Sequence, residues 1–317
     1  MTSEFLPLKS ASKVAFIDDD RHYLNGLQMG LPDSMTASFH IEPSTLGPLL
    51  DLSRKMLQVE RDLLTRITPM NGLGSAECVS GALQYLASPI RFDIVSVLIA
   101  DFAMPQENGV NLCRRFQMAG LRRLLLTGMA DQAMAVSAFN AGAIEQYVPK
   151  QSPNLMDDLV LNIGAQIDAS CDRRGEILLE PLQPEMRRQL MSRPVAKALG
   201  GLLQNLGVTE WVLVAQPQGL VCVTADGGVL WVQLENEDTS KDLAEGMHAE
   251  DWNSDVVDAV IRGSTIVDLD FASQMNRKAR AQPAIELQAR PRVCAAVFEV
   301  ADLPAGLRPA TRPSPPT

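Results

Sequence analysis

The chain has 317 residues, 46% hydrophobic and 21% charged, enough apolar content for two domains with cores of their own and too much for a disordered chain. A formal net charge of -10 argues against direct nucleic-acid binding, which needs Lys and Arg to neutralise phosphates. No apolar run approaches the roughly 18 residues of a membrane span, and the start MTSEFLPLKSASK lacks the basic-then-apolar order of a secretory signal, so a cytoplasmic protein is expected. The five cysteines, Cys78, Cys113, Cys171, Cys222 and Cys294, form no Cys-x-x-Cys pair; they read as reduced, mostly buried thiols, with no zinc site suggested.

From Lys13, KVAFIDDDRHYLNGLQMGL reads as a short apolar strand, three acids, and a helix with Tyr23, Leu24, Leu27 and Leu31 on one face. TASFHIE, Thr36 to Glu42, reads as a second strand. In LLDLSRKMLQVERDLLTRI, Leu49, Leu52, Met56, Val59 and Leu63 alternate three and four apart. That spacing makes a coiled-coil-like seam, which either packs on its own domain or pairs two chains. Pro69, Asn71, Gly72 and Gly74 break the helix, and SAECVSGALQYLAS starts another with Ser75 as N-cap.

The strand VSVLIAD then runs straight into a bare carboxylate, Asp101, before the chain turns at Met104 and Pro105. After it come a helix from Val110 to Met118, a strand RRLLLTG, a helix ADQAMAVSAFNAGA, a strand EQYVPK, and the amphipathic helix NLMDDLVLNIGAQIDASC. Continuous apolar strands alternating with helices predict a doubly wound α/β fold, a five-stranded parallel sheet covered on both faces. In such sheets function gathers at the carboxyl ends of the strands.

Beyond this, residues 173–193 read as a charged, proline-containing linker. A helix VAKALGGLLQNLG and three strands, TEWVLVAQ, GLVCVTAD and GVLWVQLE, follow, the last two joined by an Asp226-Gly227 hairpin signal. An acidic helical stretch from Glu235 to Arg262 precedes strands at STIVDLDF and RVCAAVFEVAD. The pattern from 194 to 302 predicts a smaller α+β domain with an antiparallel sheet. Its topology is like that of PAS, GAF or roadblock modules, which says little of function. Trp211 and Trp231 fall in apolar strands and read as core. The half has no helix-turn-helix, no GGDEEF-like or EAL-like loop, and a single histidine, His248. The tail 303–317, rich in proline, reads as disordered.

The carboxyl ends of the predicted parallel strands carry Asp18, Asp19 and Asp20, then Asp101, Thr127 and Lys150. Carboxylates converging in one crevice repel one another unless a cation sits among them. Magnesium suits hard oxygen ligands, and a hydroxyl and an ammonium beside it match the oxygens of a phosphoryl group. Asp101 would be the nucleophile that forms an acyl phosphate.

On these residues the first half, 12–172, resembles a two-component response-regulator receiver domain. IDDD matches the acidic pair, DFAMPQENG the phosphoacceptor loop, LLLTG the hydroxyl, and YVPK the aromatic and the lysine. The resemblance implies a signalling switch, not an enzyme that turns over substrate. Its partner would be a sensor histidine kinase or phosphotransfer protein. Asp19 would bind Mg2+ directly, Asp18 through water, Ala103 through its carbonyl, and Asp101 would accept the phosphoryl group. Thr127 and Lys150 would hold that group, with Tyr147 the ring that reorients as Thr127 moves. Output would pass through protein contact or dimerisation, not DNA.

Departures from the family carry expectations of their own. The spacing from Asp19 to Asp101 is long for a receiver, and the helix within about 44–70 reads as an insertion that marks an interaction surface, a homodimer through residues 49–67 being the alternative to packing on its own domain. Gln151 stands where the family has a proline after the lysine; a cis bond there would cost about 3–4 kcal/mol. An extra residue lies between Ala143 and Tyr147. Ala103 and Met129 cannot hydrogen-bond an attacking water, which implies slow self-dephosphorylation. Two rival readings stand beside this one. The first is a receiver-like interaction module that works without phosphorylation. The other is a haloacid-dehalogenase-type phosphatase with Asp18 as nucleophile, Asp20 as general acid, and Asp157 and Asp158 as later acids.

Overall fold

The computed structural model describes residues 5–68, 78–128, 132–250 and 252–311. They form two compact units: 11–60 with 90–174, and the described parts of 1–10, 61–89 and 175–317.

The first unit is a five-stranded parallel sheet in the order Thr36–His40, Lys13–Ile17, Val95–Asp101, Arg122–Thr127, Gln146–Pro149. All seven residues of Val95–Asp101 are buried, as a central strand with helices on both faces requires. Side chains alternate between two cores. Ala15, Ile17, Leu98, Ala100 and Leu125 pack with Leu46, Leu50 and Leu112. Val14, Phe16, Val97, Ile99 and Leu124 pack with Leu24, Leu27, Leu159 and Ile163. Because the second strand in sequence lies at the sheet edge and the third lies beside the first, the crossovers diverge between Lys13–Ile17 and Val95–Asp101. A crevice opens at the carboxyl ends there. The expected doubly wound fold is the one observed.

The second unit is built on a six-stranded antiparallel sheet ordered Leu8–Lys9, Val208–Ala215, Gln218–Thr224, Val229–Asn236, Arg292–Glu299, Ile285–Ala289. Trp231 is fully buried, stacked on Phe271 at 4.8 Å between ring centroids. Gly219 makes room for it: a Cβ there would lie 2.4 Å from the indole and 2.5 Å from the Val232 carbonyl oxygen. Gly227, with φ of 86°, supplies the left-handed residue of the Asp226-Gly227 turn. Trp211, half-buried, donates its indole N–H to the Leu6 carbonyl at 2.8 Å. All five cysteines are buried and none forms a disulfide among the described residues.

Several boundaries differ from the sequence expectations. The receiver-like unit is not one continuous stretch. The helix Leu46–Ile67 belongs to the parallel-sheet unit up to Glu60, and the described parts of 61–89 fall in the second unit, with Leu64, Ile67, Val79, Leu83 and Leu86 in its core. The helix buries Leu46, Leu50, Ser53, Glu60, Leu64 and Ile67, one residue out of step with the expected seam, leaving Leu52 and Val59 each 41% exposed. Glu60 is buried because Arg174 answers it at 2.6 Å.

Residues 173–193 are no linker: Leu178, Leu182, Met186 and Leu190 are buried in the second core, the last two on the helix Pro184–Leu190. That unit is the larger of the two, not the smaller. In STIVDLDF the strand stops at Val267 and Leu269–Gln274 is helical. The tail is ordered at least to Ala310, which donates its N–H to the Leu86 carbonyl. Ser75 and Met129 lie outside the described residues.

Candidate phosphoacceptor site

At the carboxyl end of Lys13–Ile17 the chain turns with Asp18 only 1% exposed. One carboxylate oxygen accepts the Asp20 N–H at 2.9 Å and the other meets Lys150 Nζ at 2.6 Å. Asp20 is occupied as the N-cap of Arg21–Gly30, accepting the His22 and Tyr23 N–H groups at 2.8 and 3.1 Å. One oxygen of its carboxylate, Oδ1, thus caps the helix; this is the residue that the phosphatase reading makes its general acid. Asp157 and Asp158 sit in the first turn of Leu155–Gly175, where they answer the helix dipole, and Asp158 accepts the Ser152 hydroxyl.

Asp101 ends its strand beside Asp18. Its Oδ1 also meets Lys150 Nζ at 2.6 Å, and its Oδ2 accepts the Ala103 N–H at 3.0 Å. Gly109 closes the loop: its N–H donates to Phe102, and a Cβ would stand 2.1 Å from the Asp101 carbonyl oxygen. Thr127 sits one residue beyond Leu126, the register partner of Asp101, and is fully buried, its hydroxyl without a hydrogen-bond partner among the described residues. The Lys150 N–H donates to the Thr127 carbonyl, so both residues are fixed at neighbouring strand ends.

The family's proline is not needed to deliver the lysine. Among the described residues the cis bonds are Gln216–Pro217 and Arg290–Pro291, so Lys150–Gln151 is trans, and Lys150 still reaches both aspartates. Tyr147 is half-buried against the core that contains Ala143 and Ile144. Glu145, between them, is tied to Arg123, its carboxylate 2.7 Å from the guanidinium.

Burial pushes the Asp18 carboxyl above its usual range, against the pull of Lys150. Lys150 is raised as well: burial pushes it down, and its hydrogen bonds to Asp101 and Asp18 outweigh that. The ammonium therefore stays charged between the two acids. Carboxylate oxygens of Asp18, Asp19 and Asp101 lie within 4.8 Å of one another, with Asp19 exposed. This all-oxygen donor set fits a hard divalent cation.

The sequence reading missed Tyr23. Its ring lies 4.4 Å under Lys150 Nζ, and burial raises its hydroxyl, unpartnered among the described residues, to about 12. Its place five residues after Asp18 at the head of a helix was the available signal, hidden by an apolar helical face.

No family model matches the chain, and no curated protein matches it. Among solved structures, the Legionella pneumophila response regulator LqsR aligns over 96% of this chain and 92% of its own, with TM-score 0.74 and 20% identity. The two chains share one fold. A response regulator receiver domain protein from Clostridium thermocellum covers half of this chain at 19% identity and TM-score 0.31. A signal receiver domain of an HD domain-containing protein from Pseudomonas fluorescens Pf-5 does so at 22% and 0.33. Among the described residues no helix is long and apolar enough to cross a membrane.

Proposed function

We propose that the chain is a cytoplasmic response regulator that accepts a phosphoryl group on Asp101 from a sensor histidine kinase or phosphotransfer protein. The observation that carries this reading is one ammonium, Lys150, held 2.6 Å from each of two buried carboxylates, at the strand end beside that of Thr127, whose buried hydroxyl has no partner among the described residues. A carboxylate oxygen of Asp101 attacks phosphorus in line. The P–O bond forms as the P–N bond to the donor imidazole breaks, and the imidazole nitrogen leaves with the electron pair and takes up a proton. Asp19, Asp101 and the Ala103 carbonyl would hold Mg2+ directly, and Asp18 through water. When bound, the ion supplies the charge that lets acids and phosphoryl oxygens share the crevice. Lys150 then exchanges a carboxylate for the phosphoryl group, and Thr127 gains the acceptor it lacks.

The consequence is a change of packing around Thr127 and Tyr147 that alters a protein contact. Two exposed apolar surfaces support such contacts: Met134 and Phe139 on the helix Gln132–Asn140, and Leu52 with Val59 on the helix Leu46–Ile67, which we take as the dimer face. Exposed Ala103, which offers an attacking water no side-chain acceptor, would make the acyl phosphate long-lived. The test is incubation with acetyl phosphate, with and without magnesium, followed by intact-mass spectrometry and size-exclusion chromatography. The expected result is one added phosphoryl group that requires magnesium, with a change in elution. Absence of added mass would favour the phosphorylation-independent module.

A further inference from the structure

The second unit contains a polar cavity of about 280 Å3 bordered by Gln218, Gln233, Glu235, Thr239, Asp242 and Asp270. It is roughly twice the ~150 Å3 that accommodates a benzene-sized guest. Glu235 is 7% exposed, at the end of Val229–Asn236, and is held rigidly. Trp231 donates its indole N–H to Gln233 Oε1 at 3.1 Å, and the Gln233 amide donates to Glu235 Oε1 at 2.7 Å and to the Val267 carbonyl at 3.1 Å. The Gln233 carboxamide is thereby saturated as a donor. Among the described residues Glu235 Oε2 lacks a hydrogen-bond partner of ordinary geometry, although the Thr239 hydroxyl is near enough to favour the carboxylate, and the buried Gln218 Oε1 lacks a partner too.

No Lys or Arg lines the cavity among the described residues, while Asp242 and Asp270 add negative charge. A buried carboxylate oxygen without a donor is costly unless one arrives from outside. An ion alone fits poorly. Among the described residues, the only acidic trio whose oxygens all lie within 4.8 Å of one another is Asp18, Asp19 and Asp101, so the acids here are spread too far apart to close round one metal.

We propose that this cavity binds a small organic cation, with a primary ammonium or guanidinium donating to Glu235 Oε2 and a second polar end facing Asp242 and Asp270. The site lies wholly within the second unit and does not depend on phosphorylation of Asp101.

The test is isothermal titration calorimetry of the full chain in magnesium-free buffer with agmatine and putrescine, with neutral 1,4-butanediol and magnesium chloride as comparisons. At least one of the two amines is expected to bind saturably, with affinity falling about tenfold or more in Glu235→Gln, the scale of one lost charge-assisted hydrogen bond. In Asp242→Asn, at an exposed position, the loss would be about threefold, as for a screened surface charge; this variant keeps the test decisive should Glu235→Gln fail to fold. The same affinities in Asp101→Ala would confirm independence from the phosphoacceptor. No heat from either amine, equal binding of the diol, amine affinity unchanged in both cavity variants, or binding of magnesium alone that is lost in Glu235→Gln would each overturn the proposal.

Discussion

Two buried acidic places in this molecule solve the same electrostatic problem in opposite ways. In the parallel-sheet unit, Asp18 and Asp101 share the ammonium of Lys150, supplied by the neighbouring strand end. In the antiparallel unit, Glu235 is answered by the Thr239 hydroxyl and the Gln233 amide and, among the described residues, by no cation, and burial, with Asp270 and Asp242 adding to it, pushes its carboxyl to about 7. A carboxylate that a lysine answers is ready at neutral pH to exchange that lysine for a phosphoryl group or a metal. One that no cation answers stays half-protonated at neutral pH until something binds.

The sharpest way to break the contrast is to take away the lysine. Lys150→Met leaves two buried carboxylates unanswered and should destabilise the parallel unit by about 3–4 kcal/mol in magnesium-free buffer at pH 8. Added magnesium should restore part of that, as read by urea unfolding. An unchanged midpoint would mean that the pairing contributes nothing to stability.

Glu235 makes the converse case. Its folded pKa of about 7 lies above its ordinary 4.5, so its stabilising contribution is complete below pH 4.5 and lost as pH rises through 7. Glu235→Gln, which keeps an acceptor for Gln233, should therefore be more stable than the natural protein by about 3 kcal/mol at pH 8, by less than about 1 kcal/mol at pH 5, and equal to it near pH 4. A constant difference across that range would show that Glu235 titrates normally.

A subtler comparison concerns Thr127. Its buried hydroxyl has no partner among the described residues, so Thr127→Val should change the stability of the resting protein by no more than about 1 kcal/mol, in the stabilising direction. The same variant should still take up phosphate on Asp101 yet lose the change in elution that follows. A large destabilisation on unfolding would reveal a hidden partner for the hydroxyl.

How much of this was legible in the sequence differs between the two regions for a physical reason. Strands buried on both faces read as apolar runs, so VSVLIAD and RRLLLT announced themselves, and the polar residue ending each run marked the site. The seam was misjudged by one residue because the helix carries two overlapping apolar stripes. Spacing alone does not say which of Leu49-Leu52-Met56 or Leu46-Leu50-Ser53 faces inward. That 61–89 folds with residues 175–317 was illegible, since it rests on contacts such as Val79 N–H to Gln274, 195 positions away. Glu235 did leave a trace: an acid ending a strand whose neighbours from Trp231 to Asn236 are all buried.

The central claim, that Asp101 and not Asp18 carries the phosphoryl group, is tested most directly by borohydride reduction after acetyl phosphate and magnesium treatment. Reduction converts an aspartyl phosphate to homoserine, which peptide mass spectrometry locates. The account predicts homoserine at position 101 alone, and none when magnesium is withheld. Homoserine at position 18 would support the phosphatase reading, and homoserine at neither position would contradict the phosphoacceptor account.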